Sequence, residues 1–479
     1  MTHSKLSKLL ACSFIASTLF FNINASADPG QDTSIANGIR NIVNAHKYKA
    51  TIGIDIQSLQ TGQTYFTRDT HHLFSPASIQ KLITVSAALL FLKPNFIFET
   101  KLLTNGTITQ GVLNGNLYLR FSGDPTLTRS DLFNLFKALK ARGIQRINGQ
   151  VVIDDMAFDH VPYPSGWSWN DLSFDYAAPL STIIIDRNRF GMRFVPARPG
   201  QPIAVHTNLP SGIIKIFNHV MTTRYNTRNC PMKIFSNNQN EFAIRGCLSK
   251  SGGAQGRALA VRDLLPLTKD YVKQALSQQN IAFNGVVSEA KAPADTTVLA
   301  QFNSPPLQTL IIHLLKKSDN LYANALLKKM GEVYYHQPGS WQNGLMAEQN
   351  ILRPYGVNTA TVHLNDGAGL SNYNFVTPAF MSKVLWLIHH NSVLNTYLIP
   401  ALPIAGDDGT LRWRMAKLGK RKCVRAKTGS TEDISSLAGF VQTYNHGVIS
   451  FVIMVNNFTG PRFPYLSLEN RIGEYLASR

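Results

Sequence analysis

Acidic side chains are scarce in this chain: 28 Asp and Glu stand against 47 Lys and Arg, a formal net charge of +19 over 479 residues. Such a surface suits an anionic partner: nucleic acid, anionic lipid or an anionic wall polymer. The Lys and Arg are spread out, with no dense basic block and no nucleic-acid-binding motif. General solubility or compositional bias therefore explains the charge as well, and contact with a membrane or wall is peripheral at most. Cysteine is scarcer, at four. No Cys or His cluster has metal-ligand spacing, so no metal or cofactor is expected. No segment after the first residues has the unbroken apolar length of a membrane helix. Charged residues make up 16% and hydrophobic ones 44%, ample for a core and, at this length, for two or three domains.

The N-terminus reads as a processing signal over residues 1–27. Lys5 and Lys8 give a basic start, Leu9 to Phe21 a short apolar core, and Ala25-Ser26-Ala27 a small-x-small cleavage site. Leu9-Leu10-Ala11-Cys12 loosely resembles a lipoprotein box, but almost no apolar core precedes it. A soluble, exported, periplasmic protein is the expectation. In an oxidising compartment Cys230 and Cys247 are predicted to bridge, leaving Cys423 over.

Thr51 to Gln57 alternates as a strand, Gln60 to Gln63 is a turn and Thr64 to Thr67 a returning strand. A helix is predicted from Pro76 through Leu92. From about Pro94 strand-like segments surround a helix at Arg129 to Arg142, and residues 187–258 read as a small β-rich unit. Tyr163, Trp167, Trp169 and Tyr176 cluster in a loop, as packing or as a substrate platform. Helices are predicted at Arg262 to Gln278, Leu307 to Lys317, Leu321 to Met330 with Gly331 as its cap, Thr377 to His389 and Ser467 to Ala477. Leu437 to Tyr444 and Val448 to Asn456 form a hairpin.

Chemistry concentrates in three short motifs. Ser78-Ile79-Gln80-Lys81 places a hydroxyl and an amine one helical turn apart. A lysine whose pKa is lowered by burial or a second cation can deprotonate such a serine. Composition alone predicts roughly one or two Ser-x-x-Lys matches in such a chain, and Ser288 to Lys291 is another, set aside because Ala-Pro-Ala-Asp follows it. Ser318-Asp319-Asn320 lies between two helices. There a second hydroxyl can shuttle a proton and an amide can fix Lys81. Ser168-Trp169-Asn170 and Ser236-Asn237-Asn238 match the same short pattern. Lys427-Thr428-Gly429-Ser430 places a cation and a hydroxyl where a substrate carboxylate can be held. Gly429 permits close approach to an edge strand, and the N–H groups of Ser78 and Ser430 can form an oxyanion hole.

Taken in this order, the motifs resemble those of penicillin-binding proteins and serine β-lactamases. The long gap from Ser78 to Ser318 is similar to that of class C low-molecular-mass penicillin-binding proteins, the D-alanyl-D-alanine carboxypeptidases/endopeptidases of the S13 type. Further matches are Gly123-Asp124-Pro125, the Gly166 to Asp171 loop, Asp366 to Ser371, and Gly406 to Leu411. The resemblance implies an α+β fold whose transpeptidase/β-lactamase-like domain, an antiparallel sheet flanked by helices, spans residues 28–93 and 305–479. A large insertion would form a second domain, 94–186 with 259–304, and a third nested in it, 187–258. It implies attack of Ser78 on the D-Ala-D-Ala bond of peptidoglycan stem peptides, with Lys81 as base and Ser318 and Asn320 assisting. Lys427 and Thr428 would bind the terminal carboxylate, and β-lactams would acylate the same serine. Asp171 would meet a cationic amine of the stem.

Two departures bear on specificity. Asn372 stands where members acting on diaminopimelate tend to carry arginine, and Glu432 where a neutral side chain is common. The rival readings are a serine β-lactamase, opposed by the long insert and the lack of an evident extra base besides Glu432, and a non-catalytic basic wall-binding protein, opposed by the intact Ser78, Lys81, Ser318 and Lys427.

Overall fold

The computed structural model describes residues 29–226 and 229–479; the processing signal lies outside the described residues. Ten α-helices are found among them: α1 (Pro29–Asn44), α2 (Lys81–Phe91), α3 (Arg129–Ala141), α4 (Leu265–Gln278), α5 (Leu307–Lys317), α6 (Asn320–Tyr335), α7 (Trp341–Leu352), α8 (Pro378–His390), α9 (Ser392–Ala401) and α10 (Phe463–Ala477). None is long and apolar enough to cross a membrane.

One five-stranded antiparallel sheet joins the two ends of the chain. Its order is Val424–Ser430, Ser435–Gln442, Val448–Asn456, Thr51–Ser58, Thr64–Arg68. The register from Thr51 opposite Asn456 to Ser58 opposite Ile449 makes the early hairpin and the late strands one layer. Alternation decides which face each side chain serves. Leu437, Val441, Ile449, Phe451 and Ile453 point to one face, under Ile35 and Ile39 of α1 and Leu468, Ile472 and Leu476 of α10. Ala438, Phe440, Val452 and Met454 point to the other, against α2, α5, α6, α7, α8 and α9.

Helix α2 lies at the centre of that second layer. Every residue from Lys81 to Leu90 is buried, as expected of a helix that is apolar all round. Each large aliphatic side chain there stabilises the fold by about 1.5–3 kcal/mol. The same burial fixes Lys81, the first residue of α2, in a dry environment.

The intervening segment carries a five-stranded sheet built on Glu99–Thr104, Leu117–Arg120 and Val151–Asp154, a four-stranded one, and two three-stranded sheets between Arg189 and Ala260. Leu102, Phe136 and Val272 share one continuous apolar core with Phe194, Val220 and Phe242, so the β-rich unit is packed onto its neighbour. Cys230 and Cys247 form the disulfide foreseen, and Cys423 is buried and free. Closing a loop of this size contributes about 3 kcal/mol in the chain-entropy description.

Gly331 is not a helix cap. It lies inside α6, which runs on to a left-handed His336. A Cβ at Gly331 would meet Asn343 Oδ1 at 2.2 Å, so the glycine admits α7 rather than ending α6.

Candidate active site

The three motifs converge on one cleft. Residues Ala77–Gln80 form a 3₁₀ turn leading into α2, with Ala77 left-handed at φ 46° immediately before Ser78. This puts Ser78 at the head of a buried helix, at the junction with the edge strand Val424–Ser430. That strand approaches so closely that a Cβ on Gly429 would lie 2.7 Å from Pro76 O and 3.1 Å from Ser78 N.

Lys81 Nζ has three neighbours: Ser78 Oγ at 2.8 Å, Asn320 Oδ1 at 2.7 Å and the Ala368 carbonyl at 2.7 Å. The Asn320 orientation follows from its other end, where Nδ2 donates to the Tyr176 carbonyl at 2.8 Å. Two of the three neighbours can only accept. A neutral amine spends its two N–H bonds on them and turns its lone pair to the Ser78 hydroxyl. Burial lowers the Lys81 pKa to about 7, against the opposing pull of Asp366 and Asp319. The neutral form is therefore accessible near neutral pH.

Ser318 ends α5 in the left-handed region, φ 58°, and Asn320 opens α6. Asp319 caps α6, accepting from the N–H groups of Leu321 and Tyr322. Lys427 is fully buried. Its Nζ donates to Ser318 Oγ at 2.8 Å and to the Thr428 carbonyl at 2.7 Å. Burial, reinforced by the nearby Lys81, holds its pKa well below the usual lysine value. Lys427 thus bears on Ser318 rather than standing free in the cleft. Thr428 Oγ1 donates to Thr410 Oγ1 at 2.8 Å.

Sequence reasoning assigned no role to Asp366, which organises the far wall. Its carboxylate accepts from the backbone N–H groups of Ala368, Gly369, Leu370 and Ser371, from Asn374 and from Trp167 Nε1. The wrapped loop delivers the Ala368 carbonyl to Lys81. Gly369, at φ 80°, would place a Cβ 1.9 Å from Ala77 O, so only glycine fits. The Asp-Gly-x-Gly-x-Ser run was the available signal, as a turn closed on an aspartate.

The cleft encloses about 1270 Å³ and is lined by Ser78, Ser318, Asn320, Ser430, Asp171 and Glu432, among others. That exceeds the usual small-molecule pocket and suits a peptide. Asp171, Glu432 and Asp433 bring carboxylates to it, and among the described residues no Lys, Arg or His lines it, although the chain as a whole is strongly basic. Asp171 Oδ1 accepts from Tyr176 OH at 2.7 Å, and Asn372 is also on the wall. Pro403 and Ala405 bond the outer edge of the Val424–Ser430 strand at Val424 and Ala426. Of that strand, Ser430 lines the cleft, and Lys427, Thr428 and Gly429 lie behind its wall.

The alternative motif copies are elsewhere in the fold or in other roles. Ser288 sits in the strand Val287–Glu289, Ser236 is buried against Ser173, and Ser168 and Asn170 stand on the cleft wall.

Residues 36–465 match the D-Ala-D-Ala carboxypeptidase 3 (S13) family. The chain is 36% identical over 388 residues to the D-alanyl-D-alanine carboxypeptidase DacB of Haemophilus influenzae, covering 80% of each chain. It is similar in structure to penicillin binding protein 4 (dacB) of the same organism, with TM-score 0.85, 32% identity, and coverage of 92% of this chain and 99% of that one. A structure of that protein complexed with a novel β-lactam matches with TM-score 0.81 and 30% identity, over 92% of this chain and 100% of the other.

Proposed function

The chain belongs to the D-Ala-D-Ala carboxypeptidase 3 (S13) family, and from that premise we propose that it is a serine D-Ala-D-Ala carboxypeptidase/endopeptidase acting on peptidoglycan stem peptides. The observation that carries the reading is the set of contacts around Lys81 Nζ: one hydroxyl to deprotonate and two acceptors that hold the amine in place.

Ser78 Oγ attacks the carbonyl of the D-Ala-D-Ala bond while Lys81 takes its proton. The N–H groups of Ser78 and Ser430 receive the developing oxyanion. The proton passes through Ser318 to the leaving amine as the C–N bond breaks, and the C-terminal D-Ala departs. Water then hydrolyses the Ser78 ester, with Lys81 again as base, and returns the enzyme. We assign Lys427 and Thr428 to a substrate's free C-terminal carboxylate, whose approach would favour the protonated form of the buried amine. The acidic wall of Asp171, Glu432 and Asp433 favours a stem side chain carrying an amine. β-Lactams acylate Ser78 by the same attack.

We further assign residues 28–93 and 305–479 to the catalytic domain, 94–186 with 259–304 to a second domain and 187–258 to a third. The separate sheets support this division. Export to the periplasm is supported by the N-terminal signal and by the disulfide.

The test is intact-mass analysis over time of the protein incubated with a fluorescent penicillin. A lasting adduct on Ser78 is expected, lost in Ser78→Ala together with peptidase turnover. Rapid drug turnover with a fleeting adduct would mark a β-lactamase instead, and no adduct at all a non-catalytic wall-binding protein.

A further inference from the structure

We propose that Arg187, contributed by the inserted segment, is a positioning residue for acyl transfer: its guanidinium clamps Asp319 and so holds Ser318 and Asn320 against Lys427 and Lys81. The inference rests on the acyl-transfer reading above and adds to it a role for the insert.

Arg187 Nη1 donates to Asp319 Oδ2 at 2.8 Å. His313 Nε2 lies 3.0 Å from that nitrogen and 3.2 Å from the same carboxylate oxygen. The other oxygen, Oδ1, caps α6. One carboxylate therefore joins the insert to the helix whose first residue is Asn320. The residue before Asp319 is Ser318, which α5 holds in the left-handed region.

The backbone that delivers the guanidinium is strained. Asp186, Arg187 and Asn188 have φ of 49°, 60° and 53°, three consecutive non-glycine residues in a region that side chains disfavour. They are over-determined by their surroundings. Asn188 is buried and donates to the Pro179 and Ile183 carbonyls while accepting from Ile185 N–H. Asp186 N–H donates to Leu127 O, and Asn188 O accepts from Val261 N–H. A segment held this firmly in an unfavourable conformation fixes where the Arg187 side chain goes. The insert makes a second contact at the same place, the Tyr176 carbonyl on Asn320 Nδ2.

The clamp is also electrostatic. Asp366 and Asp319 both favour the charged form of Lys81, and Lys81 disfavours the charge of Lys427. Glu348 lies within the field of Asp366. Arg187 is the cation bonded to Asp319, with His313 beside it. Removing the guanidinium unmasks the Asp319 carboxylate toward Lys81 and raises the pH at which the amine becomes neutral.

The experiment measures the acylation rate per labelled site with a fluorescent penicillin, as a function of pH, on the full chain and on Arg187→Gly, Arg187→Lys and Asp319→Asn. Glycine relieves the left-handed backbone, so folding is not further strained by the substitution. Arg187→Gly is expected to label stoichiometrically with an unchanged thermal midpoint, to react about 10- to 100-fold more slowly through misplacement of Ser318 and Asn320, and to move its acid limb to higher pH. Arg187→Lys should restore part of both, and Asp319→Asn should move the limb to lower pH. A rate within about two-fold of the parent, well below the loss that misplacement brings, would overturn the proposal. So would a slowed rate with an unmoved limb, because a merely structural role would do that. An unlabelled parent would overturn the acyl-transfer reading itself.

Discussion

Among the described residues two places bury lysines, and they do opposite things with them. In the cleft, Lys81 and Lys427 are fully buried and bonded to hydroxyls, an amide and carbonyls. On α6, Lys328 and Lys329 are buried too, but each meets a carboxylate. Lys328 Nζ donates to Asp159 at 2.5 Å and to the Val161 carbonyl at 2.8 Å, with the Trp341 ring 4.7 Å away, and Lys329 pairs with Glu332. Burial pulls all four toward neutrality; on α6 the directly bonded carboxylates pull back. Desolvation alone therefore does not make a base. Under the proposed mechanism the cleft makes one by surrounding the amine of Lys81 with groups that accept hydrogen bonds and carry no charge, keeping Asp366 and Asp319 at one remove.

The largest effect should come from breaking the cleft side of the comparison. Lys81→Ala should lower Ser78 acylation about 10³-fold or more, since nucleophile and base act as a unit. Stopped-flow labelling with a fluorescent penicillin measures it. In the parent, only the unprotonated amine can accept the serine proton. The protonated fraction grows below the lysine's pKa, so the rate should fall about tenfold per unit as pH drops below about 7. A rate flat from pH 5 to 8 would remove Lys81 as the base.

On α6 the loss should appear in stability instead. Lys328→Met removes a fully buried ammonium from Asp159, which is 28% exposed and can regain water. The expected destabilisation is about 1–3 kcal/mol, below that of breaking a fully buried pair, with the acylation rate per labelled site unchanged. Denaturant unfolding beside the labelling assay separates the two. A large rate loss without destabilisation would mean that buried lysines act on the cleft whatever their partners.

Much of this was legible in the sequence where a local rule had local causes. The hairpin Ser435–Gln442 with Val448–Asn456 follows from two apolar runs on either side of the turn Asn445-His446-Gly447. The order of Ser78, Lys81, Ser318, Asn320 and Lys427 located the cleft. Helix α7 went unread although Ser340-x-x-Asn343 carries its capping box. Gly331 was misread because a glycine near the end of an apolar run signals a cap, whereas its reason for being glycine is the close approach of the next helix, α7, at Asn343 and Gly344. The contact of Lys427 with Ser318 and the grip of Trp167 on Asp366 span 109 and 199 residues. No spacing rule reaches across such distances.

A carboxyl group offers the mirror image of Lys81 and, at pH 5, the smallest expected effect. Glu348 on α7 is fully buried and neither of its oxygens makes a hydrogen bond. The nearby Thr84 hydroxyl is committed to the Gly367 carbonyl. Burial, reinforced by Asp366, raises its pKa to about 8. The side chain is then a neutral acid at pH 5, so Glu348→Gln exchanges one uncharged group for another of like shape. Acylation should be unchanged and stability at pH 5 should move by less than about 1 kcal/mol, as for volume-conserving changes without loss of a charge. The folded parent binds a proton that the unfolded chain releases near its ordinary value. This group's contribution is thus fully present below the unfolded value and is lost as pH rises toward about 8. The glutamine variant lacks that loss, so its stability relative to the parent should rise between those limits. Chemical denaturation at pH 5 and pH 8 decides it: a gap that stays constant would mean that Glu348 is already ionised at pH 5, and that the dry layer behind Thr84 tolerates a bare charge that the cleft does not.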